Sequence, residues 1–141
     1  MRRWSRVVAI AIMVALSAGA IASAPADDPG PLHATMLASV GTLPEPVHQA
    51  DHASVAAYQA AIEHPSVLAS VPCLCGCIQS LGHTSNLDCY IESSSRGMTI
   101  YSTHGLNCLI CQRITEDALA GAARGMSPAQ LRMLIEEKYG G

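Results

Sequence analysis

The chain has 141 residues, eight Lys/Arg against eleven Asp/Glu, and a formal charge of −3. That length holds one small domain, and the acidic balance argues against a nucleic-acid partner, which calls for a basic face. Phe is absent and six residues are Cys, so the core is expected to be a thin one of Ala, Leu, Ile and Val that needs disulfides or a metal.

Arg2, Arg3 and Arg6 precede an apolar run from Val7 to Leu16, and Ala24-Pro25-Ala26 follows. This is the pattern of an export signal cleaved near residue 26. The alternative is an uncleaved N-terminal anchor, the one membrane contact the sequence suggests, since the apolar stretch is about long enough to span. Removal of residues 1–26 leaves five Lys/Arg against all eleven Asp/Glu, a charge of −6. The expected location is periplasmic, secreted or anchored at the outer face of the cell membrane, where an even number of cysteines usually means disulfides.

Residues 27–50 carry Pro29, Pro31, Pro44 and Pro46 and read as a linker, with at most a short ordered piece at Leu32 to Val40. The folded domain is expected over 51–141. Asp51 can cap a helix to Glu63, with Val55, Tyr58 and Ile62 at helical spacing. Pro65 ends it and opens a short helix over 66–70. Residues 73–106 read as irregular, with an exposed Ser93-Ser94-Ser95 loop and one short strand at Met98 to Tyr101. Asn107 is the expected cap of a helix over 108–123 with Cys111, Ile114, Ala118 and Ala122 inside and Gln112, Arg113, Glu116 and Asp117 in water. Ser127-Pro128-Ala129-Gln130 is a capping box opening a last helix to Tyr139 that buries Leu131, Leu134 and Ile135. The expected fold is mainly α: three to four short helices, a C-terminal αα-hairpin, and a long Cys-rich loop region stabilised by metal or disulfides.

Chemistry concentrates in the cysteines. Cys73, Cys75 and Cys77 form C-x-C-x-C, Cys89 follows, and Cys108 and Cys111 form C-x-x-C. A disulfide inside C-x-C is strained, so at least two of the first three must find partners elsewhere. Soft thiolates select Cu(I), Zn or iron–sulfur clusters. Cys108 and Cys111 lie one turn apart at a helix N-terminus, where the dipole lowers a thiol pKa; that suits a redox disulfide and half a metal site equally. His83 and His104 are further candidate ligands. His33, His48 and His52 read as solvated and His64 as structural, while Met98, Met126 and Met133 read as packing residues.

His64-Pro65-Ser66-Val67-Leu68 and Val71-Pro72-Cys73-Leu74-Cys75-Gly76-Cys77 resemble the bacterial exported proteins named for a Pro-Cys-Tyr-Cys-Gly-Cys motif. The resemblance continues through Gly82-His83, Cys89, His104-Gly105, Cys108, Cys111 and the Tyr139-Gly140 ending. Leu74 stands where the family has Tyr, and the lipid-attachment Cys of many members is absent. The function of that family is not established. Residues 107–140 are also similar, in part, to the exported thiol-reductase domain of cytochrome c maturation, which implies the helical hairpin more than the activity.

Three readings follow. In the first, the chain is a metal-binding protein of the cell envelope without turnover: Cys73, Cys75, Cys77, Cys108, Cys111, Cys89, His83 and His104 hold copper(I) or, next, zinc. It acts as chaperone, scavenger or store, with a metal-delivery or thiol-redox protein as partner. In the second, Cys108 and Cys111 exchange disulfides with client thiols. In the third, three disulfides frame a binding module. No hydrolytic triad or carboxylate pair stands out.

Overall fold

The computed structural model describes residues 35–141; the export segment expected over 1–26 lies outside the described residues. From Thr35 onward the expected linker is part of the fold. Strand β1 (Thr35–Ser39) pairs antiparallel with β3 (Met98–Ser102), Thr35 opposite Ser102 and Ser39 opposite Met98. The turn of helix α1 (Glu45–His48) buries Val47 completely. Proline misled here: Pro46 sits in the first turn of α1, where its missing N–H costs nothing.

Strand β2 (Ile91–Ser95) covers the other edge of β3, giving the order β1-β3-β2. Ser93–Ser95, expected as loop, is therefore strand. Its side chains are exposed on both faces, so it shows no alternation; it is set by the hairpin instead. Arg96 and Gly97 both take positive φ (50° and 80°), and Ser95 faces Met98 across the turn, the two-residue geometry that matches strand twist. The fold is mostly helical, with this small sheet added.

Helix α2 (His52–Glu63) starts as the sequence implies. Asp51 Oδ1 accepts from the amides of Ala53 and Ser54, each at 3.0 Å, a cap worth about 1 kcal/mol. The short α3 (Pro65–Ser70), α4 (Ile78–Leu81) and α5 (His104–Asn107) lead to α6 (Leu109–Ala123) and α7 (Pro128–Tyr139). The capping box of α7 is formed from both sides. Ile114, Ala118, Leu131 and Ile135 join Val71 in a small apolar cluster that closes the α6–α7 hairpin; Leu134 is only half-buried.

The main core is not the aliphatic one expected. Its centre is Tyr58, Tyr90 and Tyr101, all fully buried, with Cys73, Cys77, Cys89 and Cys111. Each phenol has a partner: Tyr58 donates to Ser102 O (2.6 Å), Tyr101 to Thr42 O (2.8 Å), and Tyr90 to Thr115 Oγ1 (2.9 Å). Tyr58 and Tyr90 meet edge-on at 5.1 Å between ring centres, a favourable aromatic geometry. Three tyrosines thus supply the bulk that Phe would give, and their hydroxyls tie α2 to β3 (Tyr58), α6 to the turn before β2 (Tyr90) and β3 to the loop after β1 (Tyr101).

Gly105 touches this wall. A Cβ there would come within 2.6 Å of Tyr90 Cε1 and 3.0 Å of Cys89 O. Gly105→Ala is expected to cost about 1–3 kcal/mol through overpacking, read as a lower denaturation midpoint at unchanged m-value. An unchanged midpoint would mean that α5 is not pressed against Tyr90.

Candidate metal centre

Each thiol is placed by a different piece of local structure. Cys73 follows Pro72, which bridges to Ser85, while Val71 O accepts from the amide of Asn86 (3.0 Å). Cys77 opens α4, and the chain returns so that His83 Nδ1 lies 3.4 Å from Cys77 Sγ. Cys89 ends a 3-10 turn (Leu87–Cys89). That turn is gathered by Asp88, whose Oδ2 accepts from the amides of Thr84 (2.8 Å) and Ser85 (2.9 Å). Cys108, not Asn107, is the N-cap of α6, and Cys111 follows in the first turn.

The first turn of α6 is fixed from behind. Cys111 O accepts from Asn86 Nδ2 (3.1 Å), and the Thr115 hydroxyl donates to Asn86 Oδ1 (2.7 Å). Gln112, expected in water, is buried; its Nε2 donates to Gly105 O (2.9 Å) and Ser54 Oγ (3.0 Å). Gln112 thereby ties α6 to α5 and α2, which carries His104 to the thiols. Sequence reasoning missed Asn86, Thr115, Gln112 and Asp88. Only Asp88 had a local signal, the Thr84-Ser85-x-x-Asp88 spacing of a side-chain-capped turn.

All six cysteines are free, and their sulfurs converge. Cys73 Sγ lies 2.9 Å from Cys77, 3.3 Å from Cys75 and 3.3 Å from Cys89. Cys75 Sγ lies 3.1 Å from Cys77, 3.5 Å from Cys111 and 3.3 Å from His104 Nε2. Cys111 and Cys89 are 3.1 Å apart. Cys108 completes a group with Cys75, His104 and Cys111, all donor atoms within 4.8 Å of one another. The eight residues singled out from the sequence are thus one contiguous cluster. Cys89 and Cys111 are sealed, Cys73, Cys77 and His83 nearly so, and Cys75, His104 and Cys108 are half-buried. His104 Nδ1 is buried without a hydrogen-bond partner. His48, His52 and His64 are exposed and stand in no such group. Met98 and Met133 are exposed rather than packed.

Six thiols in contact cannot ionise together, and the cluster divides. The Cys111 and Cys89 thiols hold Cys73 far below the ordinary thiol range. Cys75 is drawn down to about 4 by the Cys89 thiol, against the effect of burial. Cys108 is lowered to about 7, chiefly by the Cys111 thiol. The other three carry the protons. Cys77 is raised by burial and then by Cys73. Cys111 is raised first by its hydrogen bond to Cys108. At Cys89 the Cys111 thiol pulls downward, but Cys73 and Cys75 push harder and raise it. Burial lowers the His104 imidazole, yet the neighbouring Cys75 leaves it raised.

A hollow of about 560 Å³ beside Ala61, Ile62, Pro65, Leu87, Ile91 and Tyr101 contains no Cys or His and competes poorly as a chemical site. Among the described residues no helix is long and apolar enough to cross a membrane. A family model described as "protein of unknown function with PCYCGC motif" matches residues 25–141. Comparison with curated proteins and with solved structures finds no match.

Proposed function

The chain belongs to the family of proteins of unknown function with the PCYCGC motif, and from its site we propose that it is an exported, thiolate-rich metal-binding protein. The carrying observation is one contiguous cluster of six cysteine sulfurs and two imidazoles, four of the thiols sunk in the main core. A core has no packing need for sulfurs 2.9–3.5 Å apart; ions between them would neutralise the charge that otherwise keeps half of them protonated. Soft donors in an exported protein favour copper(I), with zinc next. The role is chaperone, scavenger or store, without turnover, and a metal-delivery or thiol-redox protein would be its partner. The test is metal content and free thiols measured on one sample of the exported protein, purified without a metal-affinity tag. Near-stoichiometric copper or zinc, with thiols freed only by chelation or denaturation, is expected. No metal and no free thiols would leave a disulfide framework.

Proton release provides a second check. Metal binds thiolates, and Cys77, Cys89 and Cys111 hold their protons at neutral pH. Loading should therefore expel about three protons from these thiols, with a further contribution from Cys108 and His104, and affinity should fall as pH falls, by up to tenfold per proton for each pH unit. Calorimetry in buffers of different ionisation enthalpy counts those protons; a count near zero would mean that the deeply buried thiols take no part.

Thiol–disulfide exchange is a second reading, favoured by Cys108: half-buried, at the N-cap of a 15-residue helix, its thiol at about 7.

A further inference from the structure

A tetrahedral ion takes four ligands, and this cluster offers eight. They divide without remainder and without sharing. Cys73, Cys77, His83 and Cys89 form one group of four, Cys75, His104, Cys108 and Cys111 another, and within each group all donor atoms lie within 4.8 Å of one another. Both groups are Cys₃His, a known tetrahedral zinc set. The division also follows the chain. The first group comes from the segment around α4 and the 3-10 turn. The second comes from α5 and the start of α6, completed by Cys75. The C-x-C-x-C motif is split between them, its outer cysteines to one group and its middle one to the other.

We propose that the site is a dinuclear centre, one ion in each Cys₃His group; this rests on the metal-binding reading and adds its stoichiometry. Two further observations support two ions over one. First, metal–sulfur bonds of about 2.3 Å put tetrahedral ligands roughly 3.8 Å apart. Within the groups the close contacts run from 2.9 Å (Cys73–Cys77) to 3.5 Å (Cys75–Cys111) and no pair of donor atoms is more than 4.8 Å apart, so small shifts about that spacing seat an ion in each. Second, six ionised thiolates carry six negative charges. With one divalent ion the thiols of the empty group must either keep protons or stand uncompensated in a site where Cys89 and Cys111 are sealed from water, an expensive state; two ions let all six ionise with a net charge of only −2.

The groups abut. Cys75 lies 3.3 Å from Cys73 and 3.1 Å from Cys77, and Cys89 lies 3.1 Å from Cys111. Two other four-ligand combinations exist, and both contain Cys75 and Cys89. These two sulfurs therefore lie at the seam between the two groups, one belonging to each.

The experiment is native mass spectrometry of the reduced, metal-free exported protein titrated anaerobically with Zn(II) alone. Two zinc ions per chain are expected at saturation. His104→Ala with Cys108→Ser, which strips the second group of two donors, should retain one, with far-UV circular dichroism verifying the fold. One ion in the wild type would overturn the dinuclear assignment and leave the metal-binding reading intact. No zinc would also overturn it, and a Cu(I) titration of the same sample then decides whether metal binding fails too. Two ions retained by the double variant would overturn the division into these groups.

Discussion

Loading the reduced protein with metal is expected to raise its melting temperature by roughly 15 °C or more, an estimate from a ligand at about a thousand times its Kd contributing ~4 kcal/mol and the melting shift per kcal/mol of a domain of about this size. The size of the effect follows from where the donors sit. Cys73, Cys77, Cys89 and Cys111 belong to the same core cluster as Tyr58, Tyr90 and Leu68. Unfolding therefore cannot proceed without dispersing the ligands, and binding free energy becomes folding free energy. The metal-free state keeps its tyrosine wall and its α6–α7 hairpin, but the sulfurs between them gain only weak S–H hydrogen bonds. The measurement is a pair of thermal scans with excess phosphine reductant throughout, with and without Cu(I) or Zn(II). An unchanged midpoint would remove the metal-binding reading. A disulfide framework behaves in the opposite way: reductant alone lowers its midpoint, and metal restores nothing.

What could be read from the sequence was whatever depends on local spacing. The Asp51 and Ser127 caps, the stop before Pro65 and the α6–α7 hairpin are written within a few residues of where they act. The cluster was legible as a list of eight residues, because sulfur and imidazole have few bland uses in a short chain. It was not legible as an arrangement. Nothing local says that Asn86 will reach Cys111 O across 25 positions, or that Gln112 will turn inward to meet Ser54 and Gly105. On a helical wheel Gln112 is simply polar. The sheet was missed for a related reason. β1 has to pair with a strand some sixty positions away and its alternating burial is hidden in the sequence by an exposed Leu37 beside the buried Met36, while β2 from Glu92 to Ser95 is exposed on both faces and lacks the alternation that betrays a half-buried strand. The buried tyrosines were undervalued because few aromatics suggested an aliphatic core, whereas Tyr58, Tyr90 and Tyr101 each satisfy a hydroxyl at depth.

Cys75→Ser is the substitution with the largest expected effect on the site. Cys75 Sγ lies within 3.5 Å of Cys73, Cys77, Cys111 and His104, so it joins the α4 side of the cluster to the α6 side. Serine keeps the shape and replaces a soft thiolate by a hydroxyl that stays protonated. The metal-free fold should be little changed, within about 1 kcal/mol, because Cys75 is only half-buried. Removal of residues that merely support a ligand costs about 10–100-fold in metal affinity, so loss of this ligand should cost at least about 100-fold. Competition against a chromophoric Cu(I) chelator measures it directly. Cys108→Ser at the rim separates the readings further. If the chain exchanges disulfides through C-x-x-C, Cys108→Ser stops exchange with a model disulfide while Cys75→Ser only weakens it. If it holds metal, Cys75→Ser is the more damaging for affinity and neither variant changes a catalytic rate, there being none to change. Wild-type copper affinity in the Cys75→Ser protein would refute a site centred on this sulfur.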